Sequence, residues 1–286
     1  MTAVITLVGG TIFLMWLGEQ ITARGVGNGI SLIIFAGIVA QLPIALVQTL
    51  ELGRIGSLST GIIFMVILLC IAVITFIVFM ERAQRRLIVQ YPKRQMGNKM
   101  FGGEASHLPL KLNTSGVIPP IFASSLLLLP LTLVGFAGGE SSGGFLGEIA
   151  RYVQHGQPLY MVLYGGLIAF FCFFYTAIVF NPEETADNLK RYGGFIPGIR
   201  PGNNTAQYLD HVLTRITVVG AIYLVFVCLL PEFLMTKYSL PFYFGGTSLL
   251  IVVTVTMDTV SQIHSHLIAH QYEGLIKKTK LRGRRR

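Results

Sequence analysis

Three histidines and one aspartate near the end of the chain are the side chains whose types and spacing could hold a metal ion. His264, His266 and His270 share parts of one face of a predicted helix, and Asp258 lies about two turns before them. Imidazole and carboxylate groups are ordinary zinc ligands. A site would need a carboxylate or a cysteine nearer to the histidines, so the pattern favours solvated histidines over a metal centre.

Asp258 is the one carboxylate well inside a predicted apolar span. A charged group inside a bilayer is costly, so it is a functional candidate by default. Asp258 lies in the cytoplasmic half of the span, which favours a structural role in which a partner group pairs with the carboxylate. A role in gating or transport stays open.

No HExxH, GxSxG or Walker A motif occurs in the sequence, and no GxGxxG motif opens a helix. We therefore expect no enzymatic activity, no cofactor and no metal site.

The polar segment Asn181–Gly202, NPEETADNLKRYGGFIPGIRPG, stands between two long apolar runs. A loop of this length inside a compact domain usually has a function or is disordered. Arg200 lies in its PGIRPG turn, where glycines permit tight turning and prolines stiffen the backbone. The sequence therefore predicts one guanidinium group held at a defined place in water.

The apolar runs on either side of this segment indicate a membrane protein. The chain has 286 residues, of which 52% are hydrophobic and 12% are charged, whereas a soluble domain has about a quarter charged residues. A helix needs about twenty apolar residues to span a bilayer. We predict an all-α membrane protein with about seven transmembrane helices. The spans are approximately Ala3–Leu17, Ile30–Val47, Gly61–Met80, Gly116–Gly135, Leu159–Phe180, Ile216–Leu234 and Thr247–Ile268.

The basic residues predict the orientation of these spans. They concentrate in two large loops, Glu81–Leu112 and Asn181–Arg215, and in the tail Ala269–Arg286, whereas the intervening connections have few. Basic loops lie on the cytoplasmic side. We therefore expect both loops and the C-terminus in the cytoplasm and the N-terminus outside. The net charge of +9 then reflects topology and attraction to anionic lipid rather than nucleic-acid binding.

The first large loop has the composition of a folded hairpin. Gln84–Gln90, QRRLIVQ, is rich in residues with high β propensity. A turn near Gly97 would bring the chain back toward Phe101. We therefore predict a packed hairpin rather than a loose linker.

Four long blocks of this sequence resemble the SecY family, the channel subunit of the bacterial protein translocase. They are GEQITARGVGNGISLIIFAGIVAQLP (Gly18–Pro43), HLPLKLNTSGVIPPIFASS (His107–Ser125), FNPEETADNLKRYGGFIPGIRPG (Phe180–Gly202) and PFYFGGTSLLIVV (Pro241–Val253). Members of the family have ten membrane helices, and this chain resembles the fourth to the tenth. The resemblance implies a partial SecY-type bundle.

The resemblance also implies roles for individual residues. An apolar pore ring falls on Ile30, Ile34, Ile121 and Ile251. Such a ring dewets and blocks ions, yet deforms around a passing polypeptide. One side of the lateral gate, which opens toward lipid, falls on Asn113, Ser124 and Ser125. From their residue types alone, the two serines could equally well allow a neighbouring helix to pack closely against this one.

The two large loops resemble the protrusions on which the SecA motor ATPase or the ribosome docks. The implied docking residues are Arg200, Lys190, Arg191, Arg94 and Lys99. An Arg fork binds carboxylate on a motor protein or phosphate on ribosomal RNA equally well. The first protrusion often carries adjacent basic residues at its tip, where this chain has Asn98 and Lys99, so its tip is expected to be the weaker anchor.

The implied function is passive conduction of unfolded polypeptides across, or laterally into, the cell inner membrane. SecA or the ribosome would supply the energy, SecE and SecG would be membrane partners, and signal sequences and nascent chains would be the cargo. Two alternatives remain open. The first three family helices and the plug have no counterpart here, so the chain is also interpreted as a non-conducting fragment. A small-solute secondary transporter would favour polar mid-span residues, which only Asp258 approaches.

Overall fold

The computed structural model describes residues 2–55, 60–92, 94–96, 99–101, 105–136, 156–238 and 246–283. Helices dominate, as expected for a chain whose backbone groups must be paired without water. The helices are α1 Thr2–Arg24, α2 Gly29–Arg54, α3 Thr60–Arg82, α4 Ile118–Phe136, α5 Pro158–Val179, α6 Pro182–Arg191, α7 Asn203–Tyr238 and α8 Gly246–Gly283. The strands are β1 Gln84–Gln90, β2 Arg94–Met96, β3 Lys99–Phe101 and β4 Ala105–Lys111.

Among these residues, five helices are long and apolar enough to cross a membrane. They are Thr2–Arg24, Phe64–Arg82, Pro158–Arg191, Asn203–Leu234 and Gly246–Ala269. Two shorter apolar segments, Gly29–Ala45 and Ile118–Pro130, belong to α2 and α4. The predicted fold class, an all-α multi-pass membrane protein, is confirmed. The Gly/Ser-rich connection after α4 lies outside the described residues.

The chain divides into two compact units, residues 1–67 with 248–286 and residues 68–247. In the first unit, α1 and α2 pack against each other. The side chain of Asn28 caps α2 and accepts a hydrogen bond from the backbone N–H of Ile30 at 3.1 Å. The preceding residue, Gly27, donates its N–H to Oε1 of Gln262 on α8 at 2.7 Å. Polar side chains therefore fix the turn between the first two helices.

In the second unit, α7 is the central helix. It packs against α5 and α6, and α5 also packs against α4. Over half of the apolar stretch of α7, 56%, is buried, against 6% for that of α3. Helix α3 therefore presents most of its apolar surface outward, as a lipid-facing helix does, whereas α7 forms the core of the unit.

The segment between α3 and α4 is a β-hairpin. Strands β1 and β4 pair antiparallel, from Gln84 opposite Lys111 to Gln90 opposite Ala105. Strands β2 and β3 continue toward the tip as a second antiparallel pair. The expected strand at Gln84–Gln90 is present. Its partner is Ala105–Lys111. Phe101 pairs with Arg94 in the second strand pair, so the chain does return at Phe101 as expected.

Candidate docking platform and channel residues

The two polar segments that the sequence presents as separate loops share one hydrophobic core. Leu87 and Leu110 enter it from the hairpin, and Leu209, at the start of α7, is fully buried between the segments. Its buried members are Leu87, Leu110, Ile196, Leu209, Val212 and Ile216. We call the hairpin β1–β4 together with residues 180–216 the platform. Burial of this kind holds both segments in one folded body.

Backbone hydrogen bonds also connect the hairpin to residues 180–216. Gln90 and Phe195 exchange two N–H to carbonyl hydrogen bonds, each 2.9 Å long. Next to this bridge, a Cβ built on Gly194 would lie 3.0 Å from Cε1 of Tyr91. The backbone of the second segment therefore lies directly against the end of β1.

Within residues 180–216, the second of the two polar segments, Pro182–Arg191 form helix α6. The sequence had predicted only a polar loop there. The local signals for this helix are all present. Oδ1 of Asn181 accepts hydrogen bonds from the N–H groups of Glu183 at 3.1 Å and Glu184 at 3.4 Å. Proline occupies the first turn, acidic residues follow it, and Lys190 and Arg191 end the helix. These features cap a helix and complement its dipole.

The PGIRPG turn presents Arg200 as expected from its residues. Gly198 and Gly202 have φ angles of 84° and 110°, a region that L side chains disfavour. The half-buried side chain of Ile199 packs on the platform core. After it, the carbonyl of Arg200 accepts a hydrogen bond from Oγ1 of Thr205 at 3.0 Å. The backbone of Arg200 is thus held on both sides, while its side chain is exposed.

The other basic candidates lie on the same platform. Lys190 and Arg191 are exposed in the last turn of α6. Arg94 lies in β2 and Lys99 in β3, and their side chains are outside the described part of the structure. Asn98 is outside it altogether.

Asn113, a lateral-gate candidate, forms the centre of a buried polar network. Its Nδ2 donates to Oε1 of Glu81 at 2.6 Å and to the carbonyl of Gly116 at 3.1 Å. Its Oδ1 accepts from the hydroxyl of Ser115 at 3.2 Å. That hydroxyl lies 3.3 Å from Sγ of Cys172. The network joins the end of α3, the segment just before α4, and α5. Asn113 was a candidate from the sequence, whereas the other three side chains of the network, those of Glu81, Ser115 and Cys172, were not.

Ser124 and Ser125, the other gate candidates, both bond to their own helix. Their hydroxyls donate to the carbonyl of Ile121 at 3.0 and 2.8 Å. Ser124 is half-buried and Ser125 is exposed. This back-bonding satisfies both hydroxyls within α4, so neither needs a partner on another helix.

The four pore-ring candidates fall in both units. Ile30 and Ile34 lie one turn apart on α2 and are 48% and 40% exposed. Cγ1 of Ile30 lies close to Gly18, 2.8 Å from where a Cβ would be. Ile251 is buried on α8, in the same unit, and Ile121 is half-buried on α4, in the other.

The four candidate metal ligands, Asp258, His264, His266 and His270, all lie on α8. Asp258, His264 and His266 are exposed on α8, and the side chain of His270 lies outside the described residues. Within the described part of the chain, no three His, Cys, Asp or Glu side chains come together as a metal site.

Comparison with solved structures shows a matching fold. A structure titled as that of a protein-conducting channel aligns with 91% of this chain and 64% of its own, with a TM-score of 0.61 and 20% identity. A structure of a SecY protein, titled for its plug domain, aligns over the same shares with a TM-score of 0.60.

Sequence comparison gives higher identity. The protein translocase subunit SecY of Vibrio cholerae is 58% identical over 284 residues, which are 98% of this chain. The same subunit of Escherichia coli K12 is 56% identical over 282 residues, or 99% of this chain. The chain spans 64% of the length of each of these relatives. The family model for SecY matches residues 1–260, and the chain therefore belongs to the SecY family.

Proposed function

We propose that this chain forms part of a protein-conducting channel of the Sec translocase. Unfolded polypeptides would pass across, or laterally into, the cell inner membrane. Family membership carries this proposal. The platform supports it, because its two segments share one core, and a docking surface must transmit force from a soluble partner without deforming.

The platform is the proposed seat of the SecA motor or the ribosome. Arg200, Lys190 and Arg191 are exposed on one folded body that has a shared hydrophobic core. Arg94 in β2 and Lys99 in β3 are the further proposed docking residues. A guanidinium held by its backbone on both sides binds with little loss of conformational freedom. The platform would then face the cytoplasm, as the positive-inside rule predicts.

The channel residues are proposed on the same basis. Ile30, Ile34, Ile121 and Ile251 would form the apolar constriction. Asn113, which precedes α4, together with Ser124 and Ser125 on α4, would line one side of the lateral gate. The partly buried hydrogen bond from Asn113 to Glu81 ties this side to the end of α3. SecE and SecG would be the membrane partners, and signal sequences would enter through the gate.

The test of docking is charge reversal at Arg200. In membranes that depend on this chain for export, Arg200→Glu should slow export of a SecA-driven substrate by about tenfold or more, because a like charge replaces an attractive contact at an interface. The abundance of the chain should stay unchanged, since the side chain is exposed. The matched control is Arg54→Glu, a reversal at an exposed residue that ends α2. Normal export by the Arg200→Glu variant would refute the docking role.

A further inference from the structure

The turn between α1 and α2 is held by side-chain acceptors, one of which comes from the far end of the chain. Gly27 and Gly29 are buried in this turn. The N–H of Gly29 donates to Oγ1 of Thr22 at 2.8 Å, a partner seven residues away. The N–H of Gly27 donates to Oε1 of Gln262 on α8 at 2.7 Å, across 235 positions. This second bond therefore connects the helix pair α1–α2 to α8.

The backbone of Gly27 allows the turn to lie directly against α8. Its φ angle of 94° is one that L side chains rarely adopt. A Cβ built on it would lie 3.3 Å from Oγ1 of Thr259, which is three positions before Gln262 on α8. The same Cβ would lie 3.2 Å from Cδ1 of Leu32 on α2. Only a residue without a side chain fits between the two helices here without displacing a neighbour.

The described residues in the inner half of α8 bury little apolar surface, which makes this hydrogen bond important for holding it. Val260, Ile263 and Leu267 are 46%, 42% and 55% exposed. Burial of apolar side chains therefore contributes little to the attachment of this part of the helix. Loss of the acceptor on Gln262 would also leave the buried N–H of Gly27 without its partner, which costs more than the loss of an exposed bond.

Gln262 lies on the same face of α8 as Ile251, a proposed pore-ring residue. The two are 11 positions apart, or about three turns of helix. On the other side of the bond, Asn28 caps α2 directly after the turn, and Ile34 follows about two turns later. Helices α2 and α8 contain the second and the last of the seven predicted spans, so they run in opposite directions. At about 1.5 Å per residue, Ile34 lies about 10 Å and Ile251 about 16 Å from the bond, which places them within about one turn of the same depth.

We propose that Gln262 is a positioning residue for the pore ring. By holding the turn before α2 against α8, it would keep Ile30 and Ile34 in register with Ile251. Loss of the bond would let α2 shift relative to α8 and would loosen the constriction. This inference rests on the proposed function, because it takes these isoleucines as the constriction.

The test compares Gln262→Met with Gln262→Glu in the full chain. Methionine has a similar length and helix propensity but no acceptor oxygen, whereas glutamate keeps an oxygen at the same position. Hydrogen exchange of the peptide 25–29, followed by mass spectrometry, reports on the bond. Ion leak across liposomes, normalised to the amount of chain incorporated, reports on the ring.

Gln262→Met should accelerate the exchange and raise the leak, each by up to about fivefold, which is the factor that one side-chain hydrogen bond usually contributes. Gln262→Glu should behave as the unmodified chain does. The matched control is Gln41→Met, at an exposed glutamine further along α2, and it should change neither measurement. An equal leak from Gln41→Met would show general loosening and would overturn the proposal.

Ile34→Asn separates this inference from the proposed ring. If Ile34→Asn raises the leak and Gln262→Met does not, the positioning role is overturned while the ring stands. If neither variant raises the leak, the ring assignment fails and this inference fails with it. Unchanged exchange of the peptide 25–29 in Gln262→Met would also overturn the inference, because the bond would then not hold the turn.

Discussion

Truncating Leu209 tests whether the platform is one folded body. Leu209 is 0% exposed, and it lies in the cluster that includes Leu87 of the hairpin and Ile196 of the second segment. Leu→Ala at a fully buried site costs about 2–5 kcal/mol. If hairpin and second segment open together, the opening free energy of both falls by this amount.

The assay is amide hydrogen exchange followed by mass spectrometry of the peptides 84–92 and 105–111. A loss of about 2 kcal/mol at the low end of that range accelerates exchange roughly 30-fold through the open state. Leu209→Ala should therefore expose the hairpin peptides, although the substituted residue lies about a hundred positions away.

The control is Ile88→Ala within the hairpin itself. Ile88 is 50% exposed, and full burial of such a side chain is worth about 1.5–3 kcal/mol, so its truncation should cost half of that or less. Its effect should be smaller than that of Leu209→Ala, even on the peptides that contain it. If Leu209→Ala accelerates exchange at the start of α7 but leaves the hairpin unchanged, the two segments are independent and the reasoning is wrong.

Three further predictions concern the network, a helix contact and the pore. Asn113→Asp would replace the amide that lies 2.6 Å from Oε1 of Glu81 by a second carboxylate. The loss of this hydrogen bond should lower the free energy of unfolding by about 1–3 kcal/mol and lower the unfolding temperature measured by circular dichroism. An unchanged unfolding temperature would contradict the bond. Gly220→Ala would bring a Cβ within 2.6 Å of the carbonyl that precedes Asn113 and should cost about 1–3 kcal/mol in the same assay. Gly166→Ala, with open space around its Cβ, is the control and should be neutral or stabilising. If the proposed ring is correct, Ile34→Asn should raise ion leak across liposomes that contain this chain, because a polar side chain wets an apolar constriction. An unchanged leak would count against the ring.

Features with local signals were the ones that the sequence predicted well. The apolar runs indicated the membrane class, because each run is readable on its own. The β-branched content of Gln84–Gln90 indicated a strand, which the structure contains. The same kind of signal was present for α6, in the capping Asn181 and the charges that follow it. That helix was missed because the Gly- and Pro-rich end of the segment dominated its interpretation.

The platform could not be predicted from local patterns. Leu87 and Leu209 belong to segments that are distant along the chain, and only tertiary packing brings them into one core. The bond between Asn113 and Glu81 has the same character, since the residues are 32 positions apart. The pore-ring positions came from resemblance alone, because an isoleucine in a membrane span has no distinctive local pattern. They stay predictions.

Site-specific photo-crosslinking to a translocating polypeptide tests the proposed conduction most directly. A photoreactive phenylalanine at Ile34 or Ile121 should crosslink to a polypeptide arrested during export, since both side chains would line its path. The same group at Val162, which is 71% exposed on α5, should face lipid and give no crosslink. Crosslinks at Ile34 and Ile121 but not at Val162 are the predicted result. The absence of crosslinks at both isoleucines, or equal crosslinking at all three positions, would contradict a polypeptide path through this chain.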